Sequence, residues 1–169
     1  MLLKFLGGTM IIICGALSGI YFSDKLKNRV KFMEEYIIFL TQAKAMIRYG
    51  NFEIQKILSE VSQNTLFSDM LQECQMYLSG GENFSSSWKN ACQNYAEKGL
   101  MTKEDIPLYQ NFGESFGNLG SEEEENQIQL YIELADNRLS RLREELLTKR
   151  RLYRVIGTFS GMMAAVILY

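Results

Sequence analysis

The sequence predicts an all-α protein, an antiparallel bundle of about six helices carried on two transmembrane helices. Three observations lead to this fold class. Apolar residues recur every three or four positions through most of the 169 residues, which is the period of an amphipathic helix. A single proline and little alternation of apolar and polar residues argue against a β-sandwich or barrel. Two uncharged apolar segments stand near the two ends of the chain.

The first apolar segment is residues 5–22, which contain no charged side chain. As a helix with a rise of about 1.5 Å per residue, this segment nearly crosses a hydrocarbon core of about 30 Å. A cleaved signal peptide is the alternative, since Lys4 gives a weakly positive start and residues 16–18 resemble a cleavage site. A retained membrane helix is favoured because basic residues follow directly and resist translocation.

The second apolar segment is residues 155–169, which are also uncharged. As a helix they reach about 22 Å, and Leu152 and Tyr153 extend the apolar stretch while Arg154 reaches the lipid headgroups. The alternative is a buried helix of a soluble core. The basic residues of 149–154 favour a second transmembrane helix.

Basic residues flank the inner ends of both apolar segments, and only Asp24 opposes them. They are Lys25, Lys27, Arg29, Lys31, Lys149, Arg150, Arg151 and Arg154. Because positive charge stays on the cytoplasmic side of a membrane, residues 24–154 are expected to form a cytoplasmic helical bundle. The predicted localisation is the cell membrane, with both termini outside the cytoplasm.

Each apolar segment contains two glycines four residues apart. They are Gly15 and Gly19 in the first segment, and Gly157 and Gly161 in the second. Small residues at this spacing let the backbones of two helices approach closely in lipid. The two matches predict that these helices pack on each other or on partner helices.

Apolar periodicity and helix breakers divide the rest of the chain into six helices. The predicted ranges are 24–49, 53–62, 66–78, 84–97, 102–116, and a last helix that begins at Ser121 and continues into the second apolar segment. Gly50 marks the end of the first helix and Pro107 the first turn of the fifth. The apolar stripe predicted for the first helix is Val30, Met33, Ile37, Leu40, Ala43 and Ile47. The spacing in the first and last helices also fits a short coiled coil.

Acidic charge is concentrated away from the apolar segments, because residues 32–147 hold 19 of the 20 acidic residues and nine of the 18 basic ones. The densest group is Glu122, Glu123, Glu124 and Glu125. One interpretation is a docking surface for a basic partner or a weak divalent-cation site. The other is an ordinary helix start, where the macrodipole favours acidic side chains and Ser121 and Glu124 have capping-box spacing.

Several chemistries are excluded by the residues present. The chain has no histidine, which removes Ser-His and Cys-His nucleophile pairs and imidazole metal ligands. It has no phosphate-binding glycine motif, and a net charge of −2 gives no general case for nucleic acid. Cys14, Cys74 and Cys92 lack zinc-ribbon spacing, and the last two are expected as reduced core residues. The sequence predicts no enzyme activity, no cofactor and no metal site.

A set of features occurs in a characteristic order along the chain. It comprises Tyr49 and Gly50 at the end of the first helix, Trp88 in the fourth, a Phe-Gly-Glu-Ser-Phe-Gly element containing Phe112, Gly113 and Gly117, and the stretch 153–161. In this order the chain resembles, from end to end, the stage III sporulation protein AB family of endospore-forming bacteria. Two turns depart from the family, at residues 51–54 and at Gly120.

The resemblance implies a membrane component of a secretion-like channel complex that links mother cell and forespore. The soluble part of this family is similar to the cytoplasmic domain of the inner-membrane platform protein of type II secretion and type IV pilus systems. The implied partners are other proteins of the channel complex, including its cytoplasmic ATPase, with self-association left open. Two rival functions are a generic membrane-tethered helical adaptor unrelated to sporulation and an exported helical protein.

Overall fold

The computed structural model describes residues 2–50, 54–60, 66–117 and 121–168. Within these ranges the chain is all-α, with six helices and no strand, which confirms the predicted class and helix number. The helices are α1 (Leu2–Gly50), α2 (Ile54–Glu60), α3 (Leu66–Ser79), α4 (Phe84–Glu97), α5 (Ile106–Ser115) and α6 (Ser121–Leu168).

The helices α1 and α6 are far longer than the others, with 49 and 48 residues. Helix α6 is continuous from Ser121 to Leu168, which confirms the prediction that no break separates it from the second apolar segment. Helix α1 likewise continues from the first apolar segment to Gly50. Neither helix is interrupted by its glycines.

The chain divides into two compact units. Residues 29–140, here called the bundle unit, contain α2 to α5 with the adjoining parts of α1 and α6. Residues 1–28 and 141–169 form the other, here called the terminal unit. Both predicted transmembrane segments fall in the terminal unit.

No helical stretch among the residues with described side chains combines the length and the apolar character that crossing a membrane requires. Most side chains of residues 5–22 and 155–169 lie outside that set. The two transmembrane helices therefore stay predictions.

Aromatic side chains form the core of the bundle unit. Phe32, Tyr36 and Phe39 of α1 are fully buried, and their ring centroids lie 5.2 to 5.4 Å from that of Phe67 on α3. Helices α4 and α5 add further buried rings, Trp88, Tyr109 and Phe112. Because each such pair contributes about 0.5–1.5 kcal/mol beyond its buried area, this cluster holds α1, α3, α4 and α5 together.

The apolar stripe predicted for α1 is buried, but the buried face of the helix is wider than this stripe. Five of its six residues are buried and Ile37 is half-buried. The prediction omitted Phe32, Tyr36 and Phe39, which are more deeply buried than several members of the stripe. Helix α1 is covered by neighbours on more than one side, so its buried arc is wider than the face of an ordinary surface helix.

Helix α4 has the predicted bounds. Its start is fixed by Asn83, whose side-chain oxygen accepts a hydrogen bond from the Ser86 N–H at 2.8 Å. Its buried face contains Trp88, Ala91, Cys92 and Tyr95. Helix α4 packs against both α3 and α5 and so positions the aromatic cluster.

Candidate functional site

The close approach of α4 and α5 depends on Gly113. A Cβ atom at this position would lie 2.9 Å from the Trp88 Cβ and still closer to two carbons of the indole ring. The indole Nε1–H donates a hydrogen bond to the Tyr109 carbonyl oxygen at 2.8 Å. Trp88 and Gly113, which are 25 residues apart in the sequence, therefore form one packing motif.

The predicted partner surface, residues 122–125, lies at the start of α6 and is linked to the turn at Gly117. Gly117 has a φ of +86°, and its N–H donates a hydrogen bond to Glu124 Oε1. Glu124 is only 5% exposed, so its carboxylate stabilises this turn. The predicted capping partner, Ser121, has a side chain outside the described residues.

Glu125 is also engaged within the chain. Its Oε1 lies 3.7 Å from Lys44 Nζ and 3.8 Å from Arg48 Nη1, and both basic residues belong to α1. Glu122 and Glu123 remain exposed. The structure thus narrows the predicted surface of four glutamates to two. Within the described ranges, no group of three or more Cys, Asp and Glu side chains is arranged to hold a metal ion.

A buried ionic cluster surrounds Asp105, the residue before α5. Its side chain is 2% exposed, and Oδ1 accepts a hydrogen bond from Arg138 Nε at 2.6 Å. Oδ2 accepts from Arg29 Nη2 at 3.0 Å, from the Thr102 N–H at 2.9 Å and from Thr102 Oγ1 at 2.6 Å. The carboxylate connects α1, the segment before α5, and α6.

The electrostatics of the cluster keep Asp105 ionised. Burial, the largest single influence, acts to raise the pKa of this carboxyl. The hydrogen bonds from Thr102, Arg138 and Arg29 together outweigh burial and hold the pKa below its usual 3.8. Asp105 therefore carries a negative charge at neutral pH and offsets the two arginines.

Arg29 belongs to the basic group that the sequence places beside the first apolar segment. In the structure its side chain is 11% exposed and pairs with Asp105. Sequence reasoning did not find the cluster, because its two arginines lie 33 and 76 residues from Asp105. The local signal was the pair Thr102 and Asp105, which stand at the start of the predicted fifth helix.

Glu35 links α1 to the start of α3. Its Oε2 accepts a hydrogen bond from the Phe67 N–H at 2.9 Å, in the first turn of α3. The side chain is largely buried and lies 3.6 Å from Lys31 Nζ. A carboxylate of α1 thus satisfies a free backbone donor of α3, which a helix start needs.

The pattern that defines stage III sporulation protein AB matches residues 4–169, nearly the whole chain. The chain belongs to the stage III sporulation protein AB family. This confirms the resemblance drawn from its motifs, and membership implies a role in sporulation. No curated protein and no solved structure matches the chain.

The family motifs of this sporulation protein AB chain have distinct structural positions. Trp88, Phe112 and Gly113 lie in the buried aromatic cluster, and Gly117 begins the segment that leads into α6. Tyr49 is exposed, next to Gly50 at the end of α1. The packing glycines Gly15, Gly19, Gly157 and Gly161 lie in helical backbone, and their surroundings are outside the described residues.

The cysteines of the bundle unit are free thiols in the core, as predicted. Burial raises the pKa of Cys74 to about 12, and it raises that of Cys92 as well. Both thiols are therefore protonated near neutral pH, as expected of cysteines that pack in a core. Cys14 lies outside the residues with described side chains.

Proposed function

We propose that this sporulation protein AB chain is a membrane-anchored structural component of the secretion-like channel complex between mother cell and forespore. Its bundle unit serves as a platform for the cytoplasmic ATPase of that complex. Family membership supports the sporulation role and disfavours a generic adaptor unrelated to sporulation.

The observation that carries the membrane part is a row of exposed apolar side chains near the end of α6. They are between 46% and 70% exposed and recur at steps of one, three and four residues: Leu152, Val155, Ile156, Phe159 and Met163. Helix α1 has a corresponding set, Met10, Leu17, Ile20, Tyr21 and Phe22. Apolar surface of this extent is unfavourable in water and favourable in lipid.

The charges next to these apolar residues support an anchor with its basic flank in the cytoplasm. Lys149, Arg150 and Arg151 stand directly before the exposed row of α6, and Arg154 lies within its first turn. On α1, Lys25 and Lys31 remain exposed, and Lys27 pairs with Asp24 at 2.8 Å. Arg29 is turned toward Asp105, so fewer basic side chains of α1 are exposed beside the first apolar segment than the sequence suggested. The net charge of this group is still positive.

A structural role for the bundle unit is supported by its buried carboxylates, which accept hydrogen bonds within the fold. Asp105, Glu35 and Glu124 each accept hydrogen bonds that join different parts of the fold. The exposed pair Glu122 and Glu123 at the start of α6 is the candidate surface for a basic patch of the ATPase.

The membrane topology is tested by cysteine labelling of the full chain in intact cells. A cysteine at exposed position 103, introduced as Lys103→Cys in a Cys14→Ser background, should resist a membrane-impermeant maleimide until the membrane is opened. The buried Cys74 and Cys92 should add little background. A matched Leu2→Cys variant should label in intact cells. Ready labelling at position 103 in sealed cells would contradict the proposed orientation.

A further inference from the structure

A groove of about 600 Å³ lies on the bundle unit, lined by residues of α3 and α4. Its lining combines carboxylates, aromatic rings and a methionine: Asp69, Gln72, Glu73, Met76, Tyr77 and Tyr95. Asp69, Glu73 and Met76 are three or four residues apart, so they share one face of α3. Tyr95 also borders the aromatic cluster, since its ring stacks on that of Phe32 with centroids 5.9 Å apart, and none of the lining residues belongs to the Asp105 cluster.

The groove already holds a cation from the chain itself, at Glu73 and Tyr95. Lys98 Nζ lies 3.8 Å from the centroid of the Tyr95 ring and 3.7 Å from Glu73 Oε2. Asn94 Nδ2 donates a hydrogen bond to Glu73 Oε1 and thereby fixes the carboxylate. A ring face beside an anchored carboxylate is a favourable site for an ammonium or guanidinium group. Because Lys98 is exposed, a competing cation can reach the same groups.

Asp69 lies one turn before Glu73 on the same face of α3. It is exposed, and within the described ranges no basic side chain lies within ion-pair distance of it. Two turns further along α3, Met76 is 73% exposed. A free carboxylate and an uncovered apolar side chain thus lie on one face, next to the site where Lys98 is bound.

We propose that this groove is a docking site for a basic segment of a partner protein. A lysine or arginine of that segment pairs with Asp69, and a neighbouring aliphatic side chain packs on Met76. A second basic side chain competes with Lys98 for Glu73 and the Tyr95 ring. Charge complementarity favours this occupant, and the aliphatic stem of a lysine or arginine adds contact with an apolar groove wall. The inference does not depend on the membrane anchor or on the ATPase.

The test measures binding of a synthetic peptide to the full chain in non-ionic detergent. The probe is a fluorescently labelled helical peptide that carries lysine and leucine in turn at every fourth position. Its binding is measured by fluorescence anisotropy. Asp69→Asn and Met76→Ala should each weaken binding about two- to fivefold, the effect expected of an exposed contact. Lys98→Gln should strengthen binding by a similar factor, because it frees Glu73 and Tyr95.

Matched variants separate the groove from net charge. Asp136→Asn removes an exposed carboxylate on α6, and Lys89→Gln removes an exposed lysine on α4. The change in peptide affinity caused by Asp136→Asn should be less than about half of that caused by Asp69→Asn. The same should hold for Lys89→Gln compared with Lys98→Gln. Equal effects of Asp69→Asn and Asp136→Asn, or of Lys98→Gln and Lys89→Gln, would overturn the proposal.

Two further outcomes bear on the occupant. A peptide with alanine in place of leucine should bind the wild-type protein more weakly, and its affinity should not change in Met76→Ala. If the alanine and leucine peptides bind the wild-type protein equally well, the groove is not the binding site. Sedimentation of the same variants detects self-association. If Asp69→Asn changes self-association and leaves peptide binding unaltered, the groove is a contact between copies of this chain and the proposal is wrong. Thermal unfolding of each variant confirms that it remains folded.

Discussion

Arg138 Nε donates a 2.6 Å hydrogen bond to Asp105 Oδ1, although the two residues are 33 positions apart in the sequence. The same carboxylate accepts a hydrogen bond from Arg29, so one aspartate links the first and last helices. Breaking a buried charge pair costs more than the pair itself contributes, since the remaining charge loses its partner without regaining full solvation. Asp105 is therefore expected to be the most sensitive acidic residue of the bundle unit.

Asp105→Asn should lower the free energy of unfolding by about 3–5 kcal/mol at pH 7, because Arg29 and Arg138 lose their shared counter-charge. Urea unfolding followed by the fluorescence of Trp88 measures this change. The exposed control Asp136→Asn should change stability by less than about 0.5 kcal/mol. Equal stability of the two variants would mean that the cluster contributes nothing beyond a surface ion pair.

The contribution of Asp105 should depend on pH with a defined sign. Its folded-state pKa is depressed below 3.8, so its stabilisation is present above the unfolded-state pKa and is lost as the pH falls through the folded value. The stability difference between wild type and Asp105→Asn should be constant from pH 7 to about 5 and decrease below about pH 4. A difference that already shrinks between pH 7 and pH 5 would contradict the depressed pKa.

Gly113→Ala should destabilise the bundle unit by about 1–3 kcal/mol or more, since the added methyl group overlaps the Trp88 side chain. Alanine is otherwise the better helix former by about 1 kcal/mol, so the sign of the result separates overlap from propensity. Thermal unfolding of Gly113→Ala, Trp88→Leu and the double variant measures the coupling. The double variant should be more stable than the two single effects predict by addition.

The glutamates at the start of α6 should differ in role: the exposed Glu122 and Glu123 in partner binding, and the buried Glu124 in stability. If the proposed ATPase partner binds here, changing Glu122 and Glu123 together to glutamine should weaken its capture by the full chain, most strongly at low ionic strength. Glu124→Gln should instead lower the melting temperature, because its carboxylate accepts the Gly117 N–H. ATPase capture that is the same at every salt concentration in the Glu122/Glu123 variant would leave these residues as an ordinary helix start.

The paired glycines of the apolar segments yield a prediction for membrane assembly. Replacing Gly157 and Gly161 with leucine should reduce disulfide cross-linking in membranes between two cysteines, one introduced into each apolar segment. The physical reason is that bulkier side chains hold helix backbones apart. The bundle unit should stay folded, as judged by the protection of Cys74 from alkylation. Unchanged cross-linking would show that the glycines do not mediate packing between these segments.

Local sequence signals were sufficient for most of the helical architecture. The bounds of α4 follow from Asn83 at one end and Gly99 at the other, and its buried face follows from the spacing of Trp88, Ala91 and Tyr95. Residues 121–168 contain no strong helix breaker, and α6 is accordingly unbroken. Caps, breakers and apolar period act within one or two turns, so a single sequence displays them directly.

The tertiary structure decided which polar residues are structural and how wide each core face is. Arg29, Glu35 and Glu124 have sequence neighbourhoods typical of exposed side chains, yet each is bound to a group on another element. Phe32 and Tyr36 lie beside the predicted stripe of α1 and became core only because other helices cover that side. Such roles depend on contacts between residues far apart in the chain, and these contacts arise only when the helices pack.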